Sequence, residues 1–292
     1  MEVKELLSEV RTKVFVDEDM DEGVLLGIGS GAAAVYSSRC PGKETQNEDA
    51  AVLIPCGGEA CVLAVADGLG GARGGMEASS LAVRAVKNAV ENGFGKRGNL
   101  RGAILDGFEA ANRAVLGLGV GAGTTLAVVE VQGGKIRPYH VGDSPILAVG
   151  QRGKIKLQSI SHSPVGYGLE GGFLDEKEAL HHEDRHIVSN VVGVEDMRID
   201  VGSALELAAR DTLLIASDGL VDNLKTEEIV GSIRKGSLAT AMNVLAERAR
   251  SRMSEGSGRV PSKPDDLTFI LFRLTTSSHR KHVTPTSVRG LP

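Results

Sequence analysis

Three apolar runs in this chain end against an aspartate beside a glycine. Cys61-Val62-Leu63-Ala64-Val65-Ala66 meets Asp67-Gly68, Leu213-Leu214-Ile215-Ala216 meets Ser217-Asp218-Gly219, and Tyr139-His140-Val141 meets Gly142-Asp143. A short unbroken apolar run is the pattern of a strand buried on both faces. A buried strand that ends in a carboxylate and a tight glycine turn aims that carboxylate into a cleft, and glycine lets a ligand approach the backbone closely. One Asp-Gly is an ordinary turn dipeptide. Its recurrence at the ends of separate runs predicts a scaffold that gathers these carboxylates in one place.

The remaining composition narrows the function. The chain has 292 residues, 41% of them hydrophobic, and no tryptophan, so a sizeable core is expected to be mostly aliphatic. The net charge is −5, and no basic block is long enough for a nucleic-acid footprint. The three cysteines, Cys40, Cys56 and Cys61, lack metal-ligand spacing and suggest a reducing compartment. The first fifteen residues carry charges throughout, and no run approaches a membrane span. A cytoplasmic monomer with no membrane or nucleic-acid partner is expected.

Residues 1–23 are expected to form an N-terminal segment before a domain spanning 24–275. Leu6, Leu7 and Val10 suggest a short amphipathic helix, and Asp17-Glu18-Asp19-Met20-Asp21 a solvated acidic turn. That turn is not a calcium loop, because Glu22 and Ile28 stand where Gly and Glu are needed. It is not an Asp-x-Asp nucleophile motif either, because Asp21 occupies the place of Thr or Val. Gly27-Ile28-Gly29-Ser30-Gly31-Ala32 fits a dinucleotide fingerprint, but the run that follows is too short for the required helix and reads as strand.

Ala78, Ala82, Ala85, Val86 and Ala89 predict a helix stopped by Gly93, and 100–118 a second helix. Four strands follow at 124–131, 135–141, 146–149 and 154–158, read as an antiparallel meander. The polar, His-rich stretch 159–195 is too long for a plain connection and is expected to be a functional flap. Strands are predicted at 198–207, 211–216 and 267–274, helices at 226–234 and 237–253, and a disordered basic tail at 276–292.

The candidate chemistry lies in Glu48, Asp49, Asp67, Asp143, Asp218, Asp222, Asp265 and Asp266. Crowded carboxylates repel unless cations lie between them, and oxygen donors without His or Cys suit Mg²⁺ or Mn²⁺. Two such ions about 3.5–4 Å apart are a device for phosphoester hydrolysis. A cysteine phosphatase is excluded, because Gln46, Val62 and Asp67 stand where an arginine must follow each cysteine. His162, His181, His182 and His186 are read as surface or hinge residues rather than as a metal cluster.

In the order and spacing of its motifs the chain resembles the metal-dependent protein phosphatases, the type-2C serine/threonine phosphatases, in their bacterial branch. The resemblance is carried by Asn47-Glu48-Asp49, Ala66-Asp67-Gly68-Leu69-Gly70-Gly71 with Ala78-Ser79 after it, Gly123-Thr124-Thr125, Val141-Gly142-Asp143-Ser144, Ser217-Asp218-Gly219-Leu220 with Asp222, and Pro264-Asp265-Asp266-Leu267-Thr268. The flap resembles the family's at 174–179, 182–185 and Val192-Gly193.

The resemblance implies an α+β, four-layer α-β-β-α sandwich of two antiparallel sheets flanked by helices. It implies hydrolysis of phosphorylated proteins, substrates of a serine/threonine kinase, with two to three Mn²⁺ or Mg²⁺ ions. It gives the catalytic role to Asp67, Asp218 and Asp265. Asp67 would bridge two metals with the Gly68 carbonyl as a further ligand, Asp218 and Asp265 would complete one site, and Glu48 and Asp49 would serve the other. Asp143 and Asp222, with Asp218, would form a weaker third site. The chain departs from the family at three places. Glu44 occupies the slot of a phosphate-gripping arginine, so Lys43, Arg39 or Arg73 must supply that charge. Leu69 replaces a His or Met, and Met76 replaces a Glu. The alternative is a catalytically weak phosphoprotein-binding module on the same fold.

Overall fold

The computed structural model describes residues 11–69, 74–97, 99–175, 178–179, 182–255 and 261–275. The expected N-terminal helix, Gly70, Gly71, Arg73, His181 and the tail lie outside the described residues. Two antiparallel sheets stack face to face. The first runs β1 (Lys13–Val16), β4 (Asp49–Pro55), β5 (Cys61–Leu69), β7 (Leu126–Gln132), β8 (Lys135–Val141) and β11 (Asp200–Val201), with β6 (Gly123–Thr124) on β5 and β12 (Leu205–Glu206) on β8. The second runs β10 (Ile155–Gln158), β9 (Ile146–Val149), β13 (Thr212–Ala216), β14 (Leu267–Leu274), β3 (Gly31–Ser38) and β2 (Val24–Ile28).

Helices cover both outer faces, as expected for the four-layer sandwich, so the inner strands are apolar on both sides. Along β4, Ala50, Val52 and Ile54 face α1 (Gly75–Arg97) and α2 (Leu100–Leu116), where Ala82, Val86, Ile104 and Phe108 meet them. Ala51 and Leu53, one step out of phase, face the other sheet and pack with Val35, Ile215 and Phe272. On the far side Leu214, Phe269 and Leu271 pack under α5 (Thr226–Ile233) and α6 (Leu238–Glu255), against Ile229, Ile233 and Leu245. Period-two side-chain alternation thus feeds two cores from each inner strand.

Several expectations give way to tertiary context. The four strands 124–158 are not one meander. β7 pairs with β8 in the first sheet and β9 with β10 in the second. Between them the chain crosses at Gly142, whose φ is +103° and whose added Cβ would stand 2.7 Å from Thr125. Asp143 is therefore delivered at the crossing between sheets. Gly93 does not stop α1; a Cβ there would lie 3.1 Å from the Ala103 Cβ of α2, so the glycine permits close helix contact. The region 198–207 forms only the two short strands β11 and β12. The flap carries a further helix, α3 (Pro164–Glu170), capped by Ser163.

Lys13–Val16, before Val24, is part of the sandwich. β1 pairs with β4 from Lys13↔Leu53 to Val16↔Ala50, so the sheet reaches back beyond the expected boundary. The acidic turn is also more than solvated surface. Asp17 accepts from the Asn47 backbone N–H and the Gln46 side chain, and Asp19 holds Arg39 through Nε and Nη2 at 3.0 and 2.7 Å. The glycines of Gly27-Ile28-Gly29 enter the β2–β3 hairpin, with Gly29 at φ +53°, which confirms strand over dinucleotide loop.

Candidate active site

Asp67 does not end its strand. β5 continues through Gly68 and Leu69 to pair with β6, and Asp67 stands directly across from Asp49 in the β4–β5 register. Like charges directly opposite on a sheet destabilise it. The fold imposes this pairing through the full seven-residue ladder, from Asp49↔Asp67 to Pro55↔Cys61. The Asp67 backbone is fixed by Thr125, whose hydroxyl accepts its N–H at 2.9 Å and whose N–H donates to its carbonyl at 2.8 Å. Among the described residues its carboxylate has no hydrogen-bond or ion-pair partner. Asp49 is almost wholly buried, with one oxygen accepting from the Ser217 hydroxyl at 2.7 Å.

The second sheet brings its acids to the same place. Asp218 opens the short helix α4 (Asp218–Val221), and Asp222 lies one turn later on the same side. Both Asp-Gly glycines answer to crowding. A Cβ on Gly219 would lie 2.0 Å from the Asp266 carbonyl, and one on Gly68 would lie 2.1 Å from the Gly75 carbonyl. Burial raises Asp67 well above the usual carboxylate range, and Asp49, Asp218, Asp265 and Asp143 add to the rise by repulsion. Asp49 is raised in the same way, first by burial and then by Asp266, Asp265 and Asp218, against the bond from Ser217. Asp143 is pushed up to about 7, by burial and then by Asp218. The structure therefore gathers Asp49, Asp67, Asp143, Asp218, Asp222 and Asp265.

Two lysines enter this cluster. Lys43 Nζ lies 3.0 Å from Glu48 Oε2 and 2.6 Å from Asp266 Oδ2. Lys263 Nζ lies 2.8 Å from Asp218 Oδ2 and Asp222 Oδ2, and 3.0 Å from Asp265 Oδ2. Burial lowers the basicity of each, but their carboxylate partners outweigh it and raise both. Asp266 is a clasp: it accepts from Cys40 N–H, Glu48 N–H and Lys43, and so ties the 40–48 loop to the site. Of the expected phosphate cations, Lys43 is at the cluster, Arg39 is committed to Asp19, and Arg73 lies outside the described residues. Glu44 is exposed.

The donors suit a hard divalent cation: they are carboxylates without sulfur or imidazole, one of them, among the described residues, unpartnered at Asp67. The Asp222 Oδ2 is shielded from solvent and, though close to Lys263, is out of line for a hydrogen bond. A cleft of about 510 Å³ opens from these acids toward the flap, lined by Asp143, Ser161, Val165, Leu169, Asp222 and Leu224.

Sequence reasoning missed a second polar cluster. His162 is buried rather than at the surface, and its ring stacks on His140 with centroids 4.5 Å apart. Its Nδ1 accepts from the Gly142 N–H at 3.1 Å and from the Asn190 amide at 2.8 Å, so Nε2 carries the proton toward Asp200 at 3.1 Å. His140 Nε2 bonds the Ile160 carbonyl at 2.9 Å. These residues stand close enough to surround an ion, but both ring nitrogens of His162 already have partners. No spacing signal marks this group, because its members come together only through β8, the flap and β11. Lys263 was equally silent, a lone lysine before a proline.

The family profile described as protein phosphatase 2C matches residues 39–255. Protein phosphatase PhpP of Streptococcus pneumoniae is 31% identical over 195 residues, covering 64% of this chain and 78% of that protein. The fold is similar to that of the S. agalactiae serine/threonine phosphatase, with a TM-score of 0.71 and 27% identity over 83% of this chain and 98% of that one. It is also similar to the PstP/Ppp phosphatase of Mycobacterium tuberculosis, at a TM-score of 0.68 and 25% identity over 83% and 98% of the two chains. At 24% identity and a TM-score of 0.67, the PstP catalytic domain is described in complex with 2 manganese ions. With its profile matched over most of its length and its acids gathered between two stacked sheets, the chain belongs to the protein phosphatase 2C family.

Proposed function

We propose that this serine/threonine phosphatase holds its divalent cations, Mn²⁺ or Mg²⁺, among Asp67, the Gly68 carbonyl, Glu48, Asp49, Asp218 and Asp265, with Asp143 and Asp222 at the adjoining edge. The observation that carries the reading is the set of acids that two different sheets aim at one point, with Asp49 and Asp67 facing each other unneutralised. When bound, such cations supply an activated water nucleophile and neutralise phosphate charge. The chain's own residues do the rest. Ser217 orients Asp49 by donating its hydroxyl, and Thr125 fixes the Asp67 backbone. Lys43 offers the phosphate a point charge beside Glu48 where the arginine of the family is missing. The cleft toward the flap takes the phosphorylated segment of a protein, so the flap acts on substrate binding rather than on chemistry. Phosphoproteins made by a serine/threonine kinase are the substrates.

The test is release of phosphate from phosphoserine and phosphothreonine peptides and from p-nitrophenyl phosphate. Turnover on all of them with Mn²⁺, abolished by EDTA and restored by adding the metal back, is expected. Turnover that persists in EDTA would overturn the reading.

A further inference from the structure

We propose that the Lys263 ammonium is a resident cation of the acidic cluster and takes the place of one divalent ion there. The inference rests on the reading of Asp218, Asp222 and Asp265 as part of a cation-binding cluster. Its own ground is geometric. One ammonium lies 2.8, 2.8 and 3.0 Å from oxygens of Asp218, Asp222 and Asp265. An ammonium is a compact charge with three donors, and every group around it is an anionic acceptor.

The lysine is held there from its backbone. The buried Asn223 accepts the Lys263 N–H at Oδ1, 2.9 Å away, and donates from Nδ2 to the Lys263 carbonyl at 2.8 Å. The same amide also donates to the Gly219 carbonyl at 2.9 Å, which ties the Lys263 loop to the helix that carries Asp218 and Asp222. Pro264 restricts the lysine further, because a residue before proline is confined to extended conformations. The side chain thus starts from a clamped stem beside the acids.

An ammonium and a divalent ion cannot share the same oxygens. At contact distance their mutual repulsion opposes joint occupancy, and a hard cation wants the lone pairs the ammonium is using. The Asp222 oxygen, close to Lys263 but out of line for a hydrogen bond, is the acceptor a cation would take up once the ammonium is gone. Lys263 therefore lowers by one the number of divalent ions that these carboxylates bind.

The experiment is titration calorimetry with Mn²⁺ on the full chain, stripped with EDTA and dialysed, for wild type, Lys263→Met and Lys263→Arg. Wild type is expected to bind no more than two ions. Lys263→Met is expected to gain one ion per chain, while Lys263→Arg, which keeps the charge, is expected to match wild type. Equal stoichiometry in wild type and Lys263→Met would overturn the proposal, as would three ions in wild type. The wild-type count keeps the proposal testable even if Lys263→Met does not fold. Absence of Mn²⁺ binding in all three proteins would overturn the cation-binding reading of the cluster itself, and the proposal with it.

Discussion

Two polar clusters flank the crossing at Gly142, and they are built on opposite terms. On one side His140, His162, Asn190 and Asp200 form a group in which each bonded nitrogen has a fixed partner: Ile160 carbonyl, Gly142 N–H, Asn190 amide and Asp200 carboxylate. On the other side Asp49 and Asp67 face each other across two strands, and burial together with the Asp49 charge raises Asp67. Both are enclosed and both are titratable. A satisfied cluster rigidifies the fold, whereas an unsatisfied one costs stability that only a ligand can return. Burial of ionisable groups does not by itself mark an active site; what marks it is charge left without a partner.

The sharpest break in this contrast is Asp67→Asn. Turnover of p-nitrophenyl phosphate with saturating Mn²⁺ should fall about a thousandfold, the scale of losing a preorganised electrostatic group. Without metal the variant should melt at a higher temperature than wild type, because a neutral residue opposite Asp49 removes their cross-strand repulsion. Activity within threefold of wild type would remove Asp67 from the centre of the site.

Lys43→Ala probes the edge of the same cluster, with a smaller effect. A cation that grips phosphate equally in the ground and transition states acts on binding, so KM for small phosphoesters should rise about tenfold with kcat little changed. Asp266 keeps its bonds from Cys40 and Glu48, so the loop should hold. An unchanged KM would move the phosphate grip to another residue.

His140→Gln tests the satisfied side, and its effect is the smallest. Burial, with repulsion from His162, holds the His140 imidazole below its ordinary value against the raising influence of the Ile160 carbonyl and Asp200. As pH falls the unfolded chain takes up this proton first, so the contribution of neutral His140 is complete above about pH 6.5 and is lost progressively below it. Urea midpoints measured between about pH 5 and pH 7.5 should decline less steeply in His140→Gln than in wild type. Mn²⁺-dependent turnover at neutral pH should stay near that of wild type. A parallel pair of midpoint curves would show that His140 is not neutral by burial.

Much of the site was legible because its acids sit beside strong local signals. The run from Cys61 to Ala66 announces a buried strand, and Asp67 follows the apolar run directly, although the strand itself continues to Leu69. The same holds for Asp218 after β13 and for Asp265 before β14. Asp266 and Lys263 were not legible in their roles, because an aspartate beside an aspartate and a lysine before a proline read as ordinary loop. Their partners are distant in sequence: Asp266 answers Cys40 and Glu48, and Lys263 answers Asp218. His162, read as a surface or hinge residue, is buried because the flap folds back on β8, where Ser189 and Asn190 close over it.

The sequence alone determined that this chain makes apolar strands buried on both faces, long amphipathic helices and a recurring carboxylate beside glycine. Those follow from periodicity and composition, which act over a few residues at a time. Only the tertiary structure decided that the 124–158 strands divide between two sheets, that Asp49 and Asp67 stand opposite each other, and that Lys263 reaches Asp218, Asp222 and Asp265. Register, sheet choice and charge pairing depend on which distant segments pack together. A one-residue slip would move every side chain to the other face, so the whole sandwich must form before those contacts are defined.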